Sequence, residues 1–430
     1  MTTSRVGLEL EFMVAVRKPE GGRLRKTGPP KDDRWPDSAA NEDITDDAIL
    51  ADNACRKVVC CAMAKCGLPV ARMSDTTPMT EDPNGGDISN HIHIDTSPAK
   101  RLLVWNPEQG GTDGSEPRFN YWFVNSEGLL TSAIAKSRMK TPGNYGWYAI
   151  EINSQILSVQ EELDQGLPTV KRALASIQNS IKVWLNAECG FHIHISPLKQ
   201  KLDISVTRRM AALVLLMERP FLLKLCHPGR QKSWYTRPIS VDSVIAVSAS
   251  ASSAARAASM NIPETNLLLT FRVKAKGRSS DETRIFRMLC AIFTEPDFKS
   301  LNKGLRLPKI GDGPSPDGGR CGMALSRFGT VEMRYPEASF DVDFISLWVD
   351  LSRRILALAA APDDEYNKKL LELYDMATAK MELGWIHWLK AVGMEERADF
   401  CKRHIHRYGG NLKDLNKRDI LPKVSDEPAK

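Results

Sequence analysis

The chain has 430 residues, 42% apolar and 26% charged, with a formal net charge of +6. This is the composition of a soluble globular protein with a sizeable core, long enough for two or three domains or one large domain with insertions. The modest positive charge fits anionic ligands such as nucleotides, and the absence of a basic stripe interleaved with aromatics argues against nucleic acid.

The first predicted element is a strand at residues 7–12, Gly7-Leu8-Glu9-Leu10-Glu11-Phe12, apolar on one side and acidic on the other. Residues 17–47 are rich in charge, Gly and Pro and read as a long exposed loop. Asp46 and Asp47 supply first-turn residues for a helix over 46–65, stopped by Gly67, and a short strand is expected at 68–72. From 74 to 117 the sequence turns polar and glycine-bearing and reads as a loosely packed insertion. Strands are expected at 119–124 and 147–152. Pro168 opens a helix to about residue 186, on the helical spacing of Val170, Leu174, Ile177, Ile181 and Leu185. A strand carrying His192 and His194 follows, then a buried helix over 204–226. Its apolar run at 210–217 is too short to span a bilayer. An Ala/Ser-rich stretch at 241–260 reads as a weak helix or a flap, and 281–293 as a helix. A last strand pair ends in Glu332 and Arg334. Beyond Pro336 helices are expected over 342–360, 365–392 and 395–408.

Side chains of a strand alternate faces, so Glu9 with Glu11, His192 with His194, and Glu332 with Arg334 each point the same way. Alternation alone commonly marks a solvent face. Here the polar residues are Glu and His, which ligate divalent metals, and Arg, which suits phosphate. Glu151, in Ala149-Ile150-Glu151-Ile152-Asn153, extends the pattern. Carboxylates gathered this densely repel one another unless cations bind between them. The expectation is a metal-nucleotide site. Of the three HxH pairs, His404-Ile405-His406 falls in a predicted helix and reads as solvated surface, and His91-Ile92-His93 lies in the polar insertion without a useful glutamate. The nine cysteines form no CxxC pair and read as reduced thiols. The first motif lies a few residues after Met1 and the tail carries no lipidation motif, so the expected location is cytoplasmic, without membrane contact.

In order, GLELEF (7–12), YAIEINSQIL (148–157), CGFHIHIS (189–196), CHPGRQKSWYTRP (226–238) and GRCGMALSRFGTVEMRYPEAS (319–339) resemble the amidoligase family, carboxylate-amine ligases of the glutamine synthetase superfamily. The resemblance implies an α+β fold, a curved antiparallel half-funnel sheet backed by helices. It implies a catalytic region over 1–340, with insertions at about 17–45, 74–118 and 241–280, and a helical C-terminal region over 341–430. By resemblance, Glu9, Glu11, Glu151, His192 and Glu332 are metal ligands, and His194 and Ser196 are nucleotide contacts. Arg334 is a phosphate-binding catalytic residue, joined by Arg320 and by Arg237 or Arg230 from the substrate loop. The family's SP after the second-motif glutamate is here Ser154-Gln155, and Glu127 stands where an aspartate is often found, as a candidate substrate-side group.

The implied reaction is amide formation through an acyl phosphate, with ATP and two or three Mg2+ ions (Mn2+ as an alternative), between a small-molecule or peptide carboxylate and an amine. The rival readings are ATP-dependent phosphorylation of a guanidino or carboxyl group on the same scaffold, a metal hydrolase built on HxH, and a non-catalytic nucleotide-binding protein. Oligomeric state is left open.

Overall fold

The computed structural model describes residues 4–17, 32–35, 48–75, 91–97, 100–109, 117–127, 145–158, 160–186, 188–199, 201–233, 236–250, 280–309 and 319–408. They form a mixed α/β structure whose strands are mostly antiparallel, in open sheet backed by helices. Two compact units divide the chain: an N-terminal unit of Gly7–Phe191, Ala338–Ser346 and Asp419–Lys430, and a C-terminal unit of Met1–Val6, His192–Glu337 and Leu347–Arg418.

The N-terminal unit is organised by β1 (Ser4–Arg17), which runs well beyond the predicted six residues. Leu8, Leu10, Phe12 and Val14 are buried on one face, and from Leu10 to Ala15 both faces are covered, as befits an interior strand. The remaining strands are β2 (Val70–Asp75), β3 (His91–Ser97), β4 (Lys100–Trp105), β5 (Trp122–Ser126), β6 (Tyr145–Asn153) and the short β7 (Val183–Trp184). Their order is β3-β4-β2-β5-β6-β1, with β7 also paired to β1 and only β2–β5 parallel. The polar insertion is thus not all loose, since β3 and β4 form an antiparallel pair within it.

The helices Ala48–Lys65 and Pro168–Ser180 pack on each other, and the first also packs on β2, β5 and β6. Pro168 sits in the first turn of its helix, as expected. The Glu162 carboxylate accepts the backbone N–H groups of Thr169 (3.0 Å) and Val170 (3.4 Å), meeting donors that a helix start leaves open. This helix ends at Ser180, shorter than predicted, because Ile181 is extended and β7 pairs with β1 through Val183↔Val14 and Trp184↔Met13. Ile181, Val183, Trp184 and Leu185 are all buried, so apolar spacing did not distinguish strand from helix there. Within the expected loop at 17–47, residues 32–35 are anchored: Asp32 pairs with Arg34 (2.8 Å) and Lys182 (3.2 Å), and the Trp35 ring lies 5.0 Å from Tyr145.

In the C-terminal unit, β8 (Phe191–Pro197), β10 (Val331–Met333) and β9 (Met323–Leu325) pair antiparallel in the order β8-β10-β9. The helix Ile204–Met217 is capped by Asp203, which accepts the Val206 N–H at 2.8 Å, and it is buried on all sides from Met210 onward. It stops before the predicted residue 226, giving way to a 3-10 turn at Leu222–Leu225. The helices Ser280–Thr294 and Val342–Ala359 match expectation closely, while Phe298–Gly304 was not foreseen. The predicted helix over 365–392 is two, Asp363–Ala377 and Trp385–Ala391. Residues 379–382 between them are all exposed, and helix formers with no face to bury gain too little to stay helical. Of the Ala/Ser-rich stretch, 241–242 end the short helix Ile239–Asp242, 244–250 is helical, and 251–260 lies outside the described residues. Among the described residues no helix is long and apolar enough to cross a membrane.

The reading of His404 as surface is corrected. In the helix Ala398–Tyr408 it is buried, with Nε2 3.0 Å from the Leu225 carbonyl and its ring against Phe400 and Tyr408. Residues two apart on a helix point in nearly opposite directions, so only His406 is exposed.

Candidate active site

In the N-terminal unit, the antiparallel register of β1 and β6 sets Glu11 directly opposite Glu151, and Glu9 opposite Asn153. The β5–β6 register sets Asn125 opposite Glu151, and Glu127 lies two residues beyond Asn125, on the same face. One carboxylate oxygen each from Glu11, Glu127 and Glu151 lies within 4.8 Å of the others. Two of the three have a definite restraint. Glu11 is largely buried, and its Oε2 accepts the Gly190 N–H at 2.6 Å, while Asn153 Nδ2 donates to Glu151 Oε1 at 2.8 Å. Ser154, just past β6, ties that strand to β1: its Oγ accepts the Leu8 N–H at 3.0 Å.

Burial, followed by the charges of Glu9, Glu11 and Glu127, pushes the Glu151 carboxyl up to about 8 against the pull of the Asn153 hydrogen bond. Three carboxylates so close cannot all be ionised cheaply without a counter-ion. Their hard oxygen donors suit a divalent cation such as Mg2+, so the residues present fit the metal that the resemblance implies.

In the C-terminal unit, Glu332 is fully buried and lies opposite His194 in the β8–β10 register. Arg334 Nη1 donates to Glu332 Oε1, as expected for two residues on one strand face, and Arg320 Nη1 reaches Glu332 Oε2 at 3.0 Å. His192 Nδ1 is 3.7 Å from Glu332 Oε1 and 3.4 Å from Arg334 Nη1. Burial alone would raise the Glu332 carboxyl, but Arg334, the two histidines and Arg320 together outweigh it and hold it below its ordinary value. Glu332 is therefore an anion in a cationic setting, the opposite of Glu151.

Beside this cluster opens a cleft of about 850 Å3, to which Ser196, Thr330 and Arg320 contribute. His194 Nδ1 lies 2.9 Å from Thr330 Oγ1, so it reaches the cleft wall. Arg5, Lys199, Lys201, Lys299 and Arg306 line the cleft, with Arg327 and Arg320 on the β9–β10 side. No Asp or Glu is among the described lining residues. Clefts of one charge sign focus the field and draw in ligands of the other.

The two loop arginines have different surroundings. Arg230 is wholly buried, where its charge opposes that of Glu337. Arg237 is part-exposed, 3.9 Å from Asp242. Sequence reading missed two buried carboxylates that fix this loop. Glu218 accepts Tyr335 Oη (2.5 Å) and the backbone N–H groups of Ile239 and Ser240 (both 2.7 Å). Glu337 accepts the His227 N–H (2.8 Å) and the Tyr408 hydroxyl. Burial raises both carboxyls. For Glu218 the signal was an isolated Glu closing an apolar run, Met217-Glu218, which marks a buried polar group that needs partners; Glu337 had no such local signal.

Residues 114–266 match the model of a family described as "Putative amidoligase enzyme", which supports assigning the chain to the amidoligases. The matched segment contains Glu127, Glu151, His192 and His194 and ends before Glu332. The match covers about a third of the chain, and its description supports an amide-forming ligase for that segment. No curated protein matches the chain.

Proposed function

We propose that the protein is an ATP- and Mg2+-dependent carboxylate-amine ligase that forms an amide through an acyl phosphate, on a glutamine synthetase-like scaffold. The observation that carries this reading is the Glu11–Glu127–Glu151 cluster, where burial and then the neighbouring carboxylates leave Glu151 with a raised carboxyl. Within a family match to amidoligases, such a cluster is best understood as a cation cradle.

In this reading Glu11, Glu127 and Glu151, with Glu9 beside them, hold one ion, and Glu332 with His192 holds another. Bound divalent ions neutralise phosphate oxygens and so lower the barrier to phosphoryl transfer. Arg334, which lies against Glu332, is placed to exchange that partner for a phosphate oxygen, and Arg320 links the same glutamate to the basic cleft. His194 and Ser196 contribute donors along the nucleotide. A substrate carboxylate oxygen attacks the γ-phosphorus, the bond to ADP breaks and ADP leaves. An amine then attacks the acyl carbon, inorganic phosphate departs, and the amine proton passes to solvent. Arg237, the part-exposed loop arginine, is the one available to a substrate carboxylate.

Purified protein should be incubated with ATP, Mg2+ and a panel of carboxylic acids, with hydroxylamine replacing the amine. The expected result is hydroxamate and ADP in equal amounts for at least one acid, lost in Glu151→Gln and Glu332→Gln. ADP with a stable phosphorylated product and no hydroxamate would make the enzyme a kinase instead. Absence of ADP release from every mixture would end the ligase proposal.

A further inference from the structure

We propose that the turn joining β9 to β10 is the base-recognition element for the nucleotide, with the Phe328 ring as a stacking platform. This rests on the nucleotide reading above and goes beyond it, because it names the group that distinguishes a nucleotide from a bare polyphosphate.

Phosphate binding alone explains the cations of the cleft but not its apolar surface. Five large hydrophobic side chains are exposed among the described residues, and the two aromatic ones, Phe298 and Phe328 (each 39% exposed), both line this cleft. A single exposed Phe is ordinary. Two in one cationic cleft call for a ligand with a flat apolar part joined to a polyanionic one, and a nucleoside polyphosphate is that ligand. The cleft volume lies within the roughly 300–1,000 Å3 range of small-molecule sites.

Phe328 is also held in place. Ser326 N–H donates to the Thr330 carbonyl (2.9 Å), Gly329 N–H to the Ser326 carbonyl (3.1 Å) and Phe328 N–H to Ser326 Oγ (3.1 Å). Gly329 takes the positive φ of +73° that closes the turn, a conformation glycine adopts without strain. The Arg327 guanidinium lies over the Phe328 ring, 4.9 Å from its centroid, and extends the stack with a planar cation. The His194 and Phe328 rings meet edge to face with centroids 6.4 Å apart, and His194 is tied to Thr330 at the end of the same turn. One short turn therefore joins an aromatic face to the histidine read as a phosphate contact. A ring fixed before the ligand arrives loses little entropy on stacking.

The test measures binding, not turnover. Affinities of Mg-ATP and of Mg-tripolyphosphate, which has the charges but no base, are determined by calorimetry for the unchanged protein, Phe328→Ala and Phe328→Tyr. Phe328→Ala should weaken ATP by roughly tenfold, in line with the loss of one stacked base, and leave tripolyphosphate within about twofold. Phe328→Tyr should restore ATP binding. Equal ATP affinity with and without the ring overturns the platform while leaving the nucleotide reading intact. Equal loss of both ligands in Phe328→Ala also overturns it, since the effect would then not be on the base. Failure of the unchanged protein to bind ATP removes the nucleotide reading and this inference together.

Discussion

Two glutamates set directly opposite each other on neighbouring strands, as Glu11 and Glu151 are, repel at the distance where cross-strand pairs interact most strongly. Glu127 adds a third charge from the next strand. Such crowding is relieved when a cation binds between the carboxylates, and on the proposed reading their oxygen donors suit a hard divalent ion. Glu127→Gln should therefore lower Mn2+ affinity by at least roughly tenfold, read by electron paramagnetic resonance titration of free Mn2+, with the circular dichroism spectrum unchanged. Unaltered Mn2+ binding would remove Glu127 from the ligand set. The alternation of β1 and β6 made Glu9, Glu11 and Glu151 legible from sequence, because a period of two assigns faces without knowledge of the partner strand. Glu127 was read only as a substrate-side group. Its place beside Glu151 depends on the β5–β6 register, which no local pattern encodes. The basic cleft was illegible for the same reason, being assembled from residues near positions 5, 199, 299, 306, 320 and 327.

Elements with a strong internal period were foreseen, among them the helix Val342–Ala359 and the strands carrying the Glu and His pairs. Errors fell where burial on all sides erased the period, as at 181–185, or where a helical sequence had no partner to cover it, as at 379–382. The short β9–β10 pair shows how much can depend on one position. Gly322, next to β9, is packed so closely against the Tyr335 ring that a Cβ there would overlap it. Tyr335 is buried, stacked on Trp348 and bonded to Glu218, so it has no room to yield. Gly322→Ala should cost about 1–3 kcal/mol in urea denaturation, the usual range for an overpacked core. Pairing it with Tyr335→Phe should recover little, since the ring and not the hydroxyl makes the clash. A fully stable Gly322→Ala variant would show that this strand pair can shift, and with it Glu332.

Across the whole molecule, buried titratable groups act on stability from opposite ends of the pH scale. His227 and His404 are held down to about 4, both mainly by burial, below the ordinary histidine value of 6.5. They are neutral in the folded chain, so the stability they contribute is complete above 6.5 and is lost as pH falls toward 4. Glu151 is raised to about 8 from 4.5, so its contribution is complete below 4.5 and is lost as pH rises through 8. Glu218 and Glu337, raised by burial, act in the same direction as Glu151. The melting temperature of metal-free protein should accordingly peak at mildly acidic pH and decline on both sides. On the proposed reading, a divalent cation bound at ionised Glu151 would stabilise only the folded chain, by about 2.7 kcal/mol at a hundred times its dissociation constant. Mg2+ should thus raise the melting temperature most above pH 7 and scarcely at pH 5, whereas Glu218 and Glu337 keep their slope with or without it. In Glu151→Gln the alkaline decline should be shallower and the Mg2+ effect largely absent. Differential scanning fluorimetry from pH 4.5 to 9, with and without Mg2+, separates these contributions. A Mg2+ effect of equal size at both ends, or one that survives Glu151→Gln unchanged, would mean that the cation binds elsewhere than the glutamate cluster.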